Sequence, residues 1–280
     1  MCGRFTLRVS VELIAGEFLL ILRDPLPPRY NIAPSQAILA IVVPTSRLGE
    51  TEPIQTDQPH SFRSESRARG KPSAITQQDA IPRDGLTPAG SPARQLVWMQ
   101  WGFSQSGRPT GETSSLLVNL RAETALENPR FRRLLEANRC LILADGFYEW
   151  EKIGRNREPF FIDRKDDRPF GMAGLWKPPS SAQPEKLPEC VVLTTPANAV
   201  VQPIHDRMPA LLLPEHYSVW LDPAYRAAEQ LAATLQPYPQ EFLEAYPVSE
   251  RVNSAEYDQP DCIQRQNRPL QRRLFDSKEE

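Results

Sequence analysis

The stretch Cys140-Leu141-Ile142-Leu143-Ala144-Asp145-Gly146-Phe147-Tyr148-Glu149-Trp150-Glu151 sets the fold class of this 280-residue chain. Cys140 to Ala144 is an apolar run too short for a helix, and a Gly turn after it opens a second strand from Phe147 to Glu151. Working outward, short strand-like runs recur at Leu96 to Phe103, Leu116 to Leu120, Phe160 to Asp163, Phe170 to Trp176 and Cys190 to Thr195, with Ala37 to Val43 upstream. Helical spacing covers Val11 to Arg23, with Ser10 as N-cap and Pro25 closing it, and recurs near Asn128 to Ala137, Pro214 to Leu221 and Ala224 to Leu235. Many short strands with few helices predict an α+β fold, a single β-rich domain with a few peripheral helices. The 29 Pro against 13 Gly agree with extended and turn segments rather than a helical bundle.

Residues 46–95 break this pattern. They are rich in Ser, Thr, Gln, Pro, Arg and Gly, carry few aliphatic residues and show no periodicity. Such a segment buries too little apolar surface to offset its ordering entropy, so it reads as a disordered insertion in a surface loop. The expected domain spans 2–263, followed by a polar tail at 264–280. A net charge of −2 excludes a generally basic nucleic-acid binder, and any DNA site must be a local patch. The four cysteines, Cys2, Cys140, Cys190 and Cys262, form no C-x-x-C pair, and only three histidines accompany them. Neither a metal site nor a cofactor is expected. With no long apolar segment near the N-terminus, the chain reads as a reduced, non-membrane, cytoplasmic monomer.

The second residue brings chemistry. In Met1-Cys2-Gly3-Arg4-Phe5, removal of Met1 would make Cys2 the N-terminus. A terminal cysteine carries an amine and a thiol on adjacent carbons, titrating at roughly 7.7–8.0 and roughly 8.5. The amine condenses with an aldehyde to an imine, and the neighbouring sulfur closes a five-membered thiazolidine. Four further motifs accompany it: Asn119-Leu120-Arg121-Ala122-Glu123 after a strand, Asp145 to Trp150 at the Gly turn, Thr194-Thr195-Pro196-Ala197-Asn198 at a strand end, and His205-Asp206-Arg207-Met208-Pro209 in a loop. Strand ends and loops are where a rigid scaffold holds functional groups.

With Tyr30-Asn31-Ile32-Ala33-Pro34, Trp101-Gly102 and Val252-Asn253, these motifs resemble the SRAP family, the SOS response-associated peptidases. The resemblance implies a self-processing protein that traps abasic sites in single-stranded DNA, with Cys2 forming the thiazolidine. It implies Glu149 and His205 as acid–base groups and Asn119 as the residue that orients Cys2. Arg4, Asn31, Trp101, Arg121, Trp150, Thr195 and Arg207 are then the expected DNA contacts. The sequence departs from the family pattern at Leu120, at Phe103 to Gly107 after the Trp-Gly pair, and in the long insertion. Two rival readings are a cysteine peptidase or amidohydrolase acting in trans with Cys2 as nucleophile, and a non-catalytic single-stranded DNA or protein-binding module.

Overall fold

The computed structural model describes residues 2–22, 24–43, 94–104 and 116–267. Thirteen strands lie in this part of the chain: β1 (Arg4–Leu7), β2 (Arg29–Ile32), β3 (Ala37–Val42), β4 (Gln95–Trp101), β5 (Asn119–Arg121), β6 (Arg139–Ala144), β7 (Gly146–Ile153), β8 (Asn156–Arg164), β9 (Phe170–Lys177), β10 (Glu189–Pro196), β11 (Arg207–Pro209), β12 (Leu211–Leu212) and β13 (Leu243–Pro247). The helices are short: α1 (Val11–Phe18), α2 (Ala122–Glu127), α3 (Pro129–Ala137), α4 (Tyr217–Leu221) and α5 (Ala228–Ala233). The fold is α+β and β-rich, as the strand spacing predicts.

The strands form two sheets. One runs β13-β8-β7-β1-β2, antiparallel throughout. The other runs β11-β10-β4-β3-β6-β9-β12, and β10 also pairs with β9, closing β10, β4, β3, β6 and β9 into a ring. Cys190 on β10 lies opposite Trp101 on one side and Trp176 on the other, which marks the closure. Every residue of β6 and all of β9 but Lys177 are buried. A strand covered on both faces is apolar at nearly every position, which is why Cys140 to Ala144 and Phe170 to Trp176 read as unbroken hydrophobic runs, with the buried Arg139 at the start of β6 the exception.

An Asp-Gly pair between two strands is a strong hairpin signal. Here it does something else, because β6 belongs to the ring and β7 to the other sheet, so Asp145 is the crossing point. Its carboxylate accepts from Thr6 Oγ1 at 2.5 Å, from the Arg8 N–H at 2.5 Å and from the Val9 N–H at 2.7 Å. The crossing is thereby tied to the end of β1. Gly146 is required there: a Cβ would lie 2.1 Å from the Phe161 ring.

Other elements differ from expectation in instructive ways. Ser10 caps α1, its hydroxyl accepting from the Leu13 N–H, but the helix stops at Phe18 and Leu19 turns left-handed at φ 52°. Residues 207–209, expected in a loop, add β11 to the edge of β10. Of the expected insertion, residues 46–93 lie outside the described residues. Arg94 and Gln95 at its upper end belong to the folded body, with Arg94 donating to Phe18 O and Ser218 Oγ, both at 2.9 Å. In the expected tail, the Gln266 N–H donates to Pro247 O at 2.9 Å, and residues 268–280 lie outside the described part. Among the described residues no helix is long and apolar enough to cross a membrane.

Candidate active site

Strand β1 lies inside its sheet, between β7 and the edge strand β2. Its register with β7, Arg4↔Tyr148 and Phe5↔Phe147, sets Gly3 opposite Glu149 when continued by one residue. On the ring side, β5 runs parallel to β10 with Asn119 opposite Val192. From there Asn119 Nδ2 donates to the Cys2 carbonyl at 2.6 Å, joining the two halves of the fold at Cys2. Asn119 is 8% exposed, and its Oδ1 accepts no hydrogen bond among the described residues.

Cys2 is fully buried and its Sγ lies 3.5 Å from Arg4 O. Burial first, and then the charge of Glu149, push its thiol well above the ordinary range, so the sulfur is protonated at neutral pH. Glu149 is buried as well. Desolvation pushes its carboxyl up to about 7, against the pull of the positive charge at the chain's N-terminus. A carboxyl poised there both gives and takes a proton at neutral pH. His205 is held lower than an ordinary histidine, by partial burial and then by the same N-terminal charge. Its Nδ1 accepts the Arg207 N–H at 3.0 Å and lies 2.9 Å from Asp206 Oδ1. Cys2, Asn119, Glu149 and His205, spread over the chain in sequence, are thus neighbours.

An open groove of about 470 Å³ passes this cluster, lined by Gly3, Arg4, Pro34, Trp150, Arg157 and Asn253. Trp150 is half-buried, and its Nε1 donates to Asn253 Oδ1 at 2.8 Å, which fixes the tilt of the indole. Arg4 reaches across to the C-terminal part of the chain, donating to Val252 O at 2.7 Å and Asn253 O at 3.3 Å.

The seven residues expected to contact DNA divide. Arg4 and Trp150 line the groove, and Arg121 is exposed at the end of β5. The other four are buried. Asn31 accepts from Arg4 and donates through Nδ2 to the carbonyls of Val252, Ser254 and Tyr257, holding the C-terminal segment in place. Trp101 is fully buried, edge-on to Phe5 with Nε1 on Val118 O at 3.0 Å, so neither ring face is open to a base. Thr195 is buried in β10, opposite Met208 of β11. Arg207 is 7% exposed, and its guanidinium is engaged by Glu123.

Sequence reading missed Arg157. The signal lies in the β7–β8 register, where Trp150 faces Pro159 and Lys152 faces Arg157 around a turn with Gly154 at φ 58°. Alternation along each strand then places Arg157 on the face of Trp150.

Residues 1–255 match the family model described as SOS response associated peptidase (SRAP). The chain is 31% identical over 271 residues to the "Abasic site processing protein YoaM" of Bacillus subtilis, covering 95% of this chain and 99% of that one. It is 32% identical to the chicken (Gallus gallus) "Abasic site processing protein HMCES", over 62% of this chain and 59% of the relative. With the Escherichia coli "Abasic site processing protein YedK" it shares 30% over 59% of this chain and 72% of the relative. Among solved structures, a protein of Bacteroides thetaiotaomicron superposes with a TM-score of 0.54 at 26% identity, over 68% of this chain and 88% of that chain. A phage-related protein of Bordetella bronchiseptica shares the fold with a TM-score of 0.58 at 23% identity, over 93% of this chain and all of the other. By a match that runs from its first residue almost to the end of its described part, the chain belongs to the SRAP family.

Proposed function

We propose that this protein processes abasic sites in single-stranded DNA by capturing them covalently on Cys2. The relatives named as abasic site processing proteins support the substrate. The observation that carries the chemistry is the 2.6 Å bond from Asn119 to the Cys2 carbonyl, which seats an aminothiol precursor beside a carboxyl poised at about 7. Maturation removes Met1, by self-processing or by an aminopeptidase, and moves the α-amine onto Cys2.

An abasic deoxyribose is mostly a closed hemiacetal, so proton transfer at its ring oxygen comes first, and His205 serves it. The Cys2 amine then adds to the C1′ aldehyde, forming the N–C1′ bond of a carbinolamine. Protonated Glu149 gives its proton to the carbinolamine hydroxyl, which leaves as water and yields an iminium. The Cys2 sulfur adds to C1′, its proton returns to the Glu149 carboxylate, and the iminium electrons settle on nitrogen. One water is lost overall and the ring is a thiazolidine. Run backward, the same groups reopen it, a lyase-like release. Each chain carries the whole set, so the protein acts as a monomer, in the bacterial cytoplasm where the DNA is.

The test is the intact mass of purified protein before and after incubation with a single-stranded oligonucleotide bearing one abasic site. The expected result is loss of Met1 and a heat-stable protein–DNA adduct, absent in Cys2→Ala. Mature protein that stays unmodified would overturn the reading and favour a peptidase acting in trans.

A further inference from the structure

An arginine two residues after His205, in a DNA-processing protein, invites the role of a phosphate contact. The side chain of Arg207 points elsewhere. Its Nη1 and Nη2 donate to Glu123 Oε1 and Oε2, both at 2.8 Å, and Nη2 also reaches Thr194 O at 2.5 Å. The guanidinium is enclosed while the Glu123 side chain is half exposed. Such a bidentate fork fixes direction as well as distance. Glu123 stands in the first turn of α2, directly after the strand that carries Asn119. Thr194 lies on β10, the strand that pairs with both β5 and β11. The fork therefore fastens the His205 loop to the Asn119 strand.

The backbone of Arg207 completes the connection, because its N–H donates to His205 Nδ1 at 3.0 Å. A second group competes for the same nitrogen: Asp206 Oδ1 lies 2.9 Å away on a side chain that is 78% exposed. The two partners ask for opposite things. The Arg207 N–H needs an Nδ1 without a proton, and the Asp206 carboxylate needs an Nδ1 that carries one. We propose that the Glu123–Arg207 ion pair is a positioning device for His205, anchoring the Arg207 N–H so that the neutral imidazole keeps Nδ1 as acceptor and its proton on Nε2. Without the anchor, the loop is released to the Asp206-bound form. Charged groups that bear on His205 include Asp206, Arg157 and the N-terminus, and Glu123 acts through Arg207. The inference deepens the acid–base reading of the site and rests on it only for the effect on rate.

The test exploits a chain with three histidines, His60, His205 and His216. Nitrogen-15 NMR of histidine-labelled full-length protein, with the His205 signal assigned by His205→Gln, reads tautomer and titration directly. Glu123 is half exposed, so Glu123→Ala and Glu123→Asp are suitable, with circular dichroism to verify folding. Wild type is expected to show the Nε2–H tautomer. Glu123→Ala is expected to move His205 toward Nδ1–H and imidazolium, to titrate it at higher pH, and to slow crosslinking about ten- to a hundredfold, the scale of a misplaced reacting group. Glu123→Asp should fall between the two. DNA affinity should not change. Unchanged His205 nitrogen shifts and titration in Glu123→Ala would overturn the proposal, as would a rate loss that merely follows a loss of DNA affinity. If wild type forms no crosslink at all, the function proposed above fails, while the NMR result still decides this one.

Discussion

Glu149 and Asp163 sit on neighbouring strands of the same sheet, both buried and both pushed up to about 7, chiefly by desolvation. Their surroundings differ. Asp163 lies opposite Gly146 and faces Arg8 Nη2 at 3.5 Å, with the charges of Glu244, Asp167 and Asp145 also acting on it. It belongs to a network of charges centred on Arg8 that reaches the surface at Asp167. Glu149 instead presses on the thiol of Cys2 and feels the N-terminal charge, beside a groove. The lesson is that a perturbed carboxyl reports burial, and becomes a functional group only where a nucleophile and an opening adjoin it.

The largest effect that could break this comparison is on rate. Glu149→Gln should slow crosslinking of an abasic oligonucleotide by roughly 10²–10⁴-fold, the usual range for a lost general acid–base. Asp163→Asn should leave the rate at the wild-type level. Equal losses in single-turnover assays would mean that burial, and not placement, decides.

A smaller effect lies in stability. Glu149 ionises near 4.5 when unfolded and at about 7 when folded. Between those values the native state holds the proton more tightly, so stability falls as pH rises through this window and levels off above it. The cost above pH 7 is on the order of 3 kcal/mol, an upper figure from the 1.36 kcal/mol per pKa unit. Urea unfolding should therefore find Glu149→Gln more stable than wild type at pH 8 and equal to it near pH 4. Asp163→Asn should gain at least as much at pH 8, because the shift of Asp163 from 3.8 to about 7 is the larger one and already includes the pull of Arg8. A gain for Glu149→Gln that persists at pH 4 would remove ionisation as its cause.

The smallest effect sharpens the comparison from outside. Trp150→Ala should weaken binding of undamaged single-stranded DNA by roughly 1–3 kcal/mol, the value of one base–aromatic stack, with little change in unfolding midpoint. Fluorescence anisotropy checks it. Unchanged affinity would leave the groove beside Glu149 without a base-stacking role.

How much of this was legible depended on how each strand is buried. β6, β9 and β10 are covered on both faces, so their apolar runs stood out. β1 holds an interior place in its sheet with four residues, Arg4 to Leu7, too few to show a period. β2, β11 and β12 are as short or shorter, and their partners rather than their composition make them strands. The crossing at Asp145 was illegible for another reason: a local Asp-Gly signal says that the chain turns, not which sheet receives it.

The sequence by itself determined the family motifs, which carry Cys2, Asn119, Glu149 and His205 as candidate reactive residues, and their placement next to strands, because motif residues, strand runs and turns are local properties. The tertiary structure decided which of the other motif residues face the groove. Arg4 is held there by Val252, 248 residues away in sequence, while Glu123 draws Arg207 inward and the ring encloses Trp101. An arginine or tryptophan has the same chemistry wherever it lies. Only its partners, brought together by folding, settle whether that chemistry meets solvent or the protein's own interior.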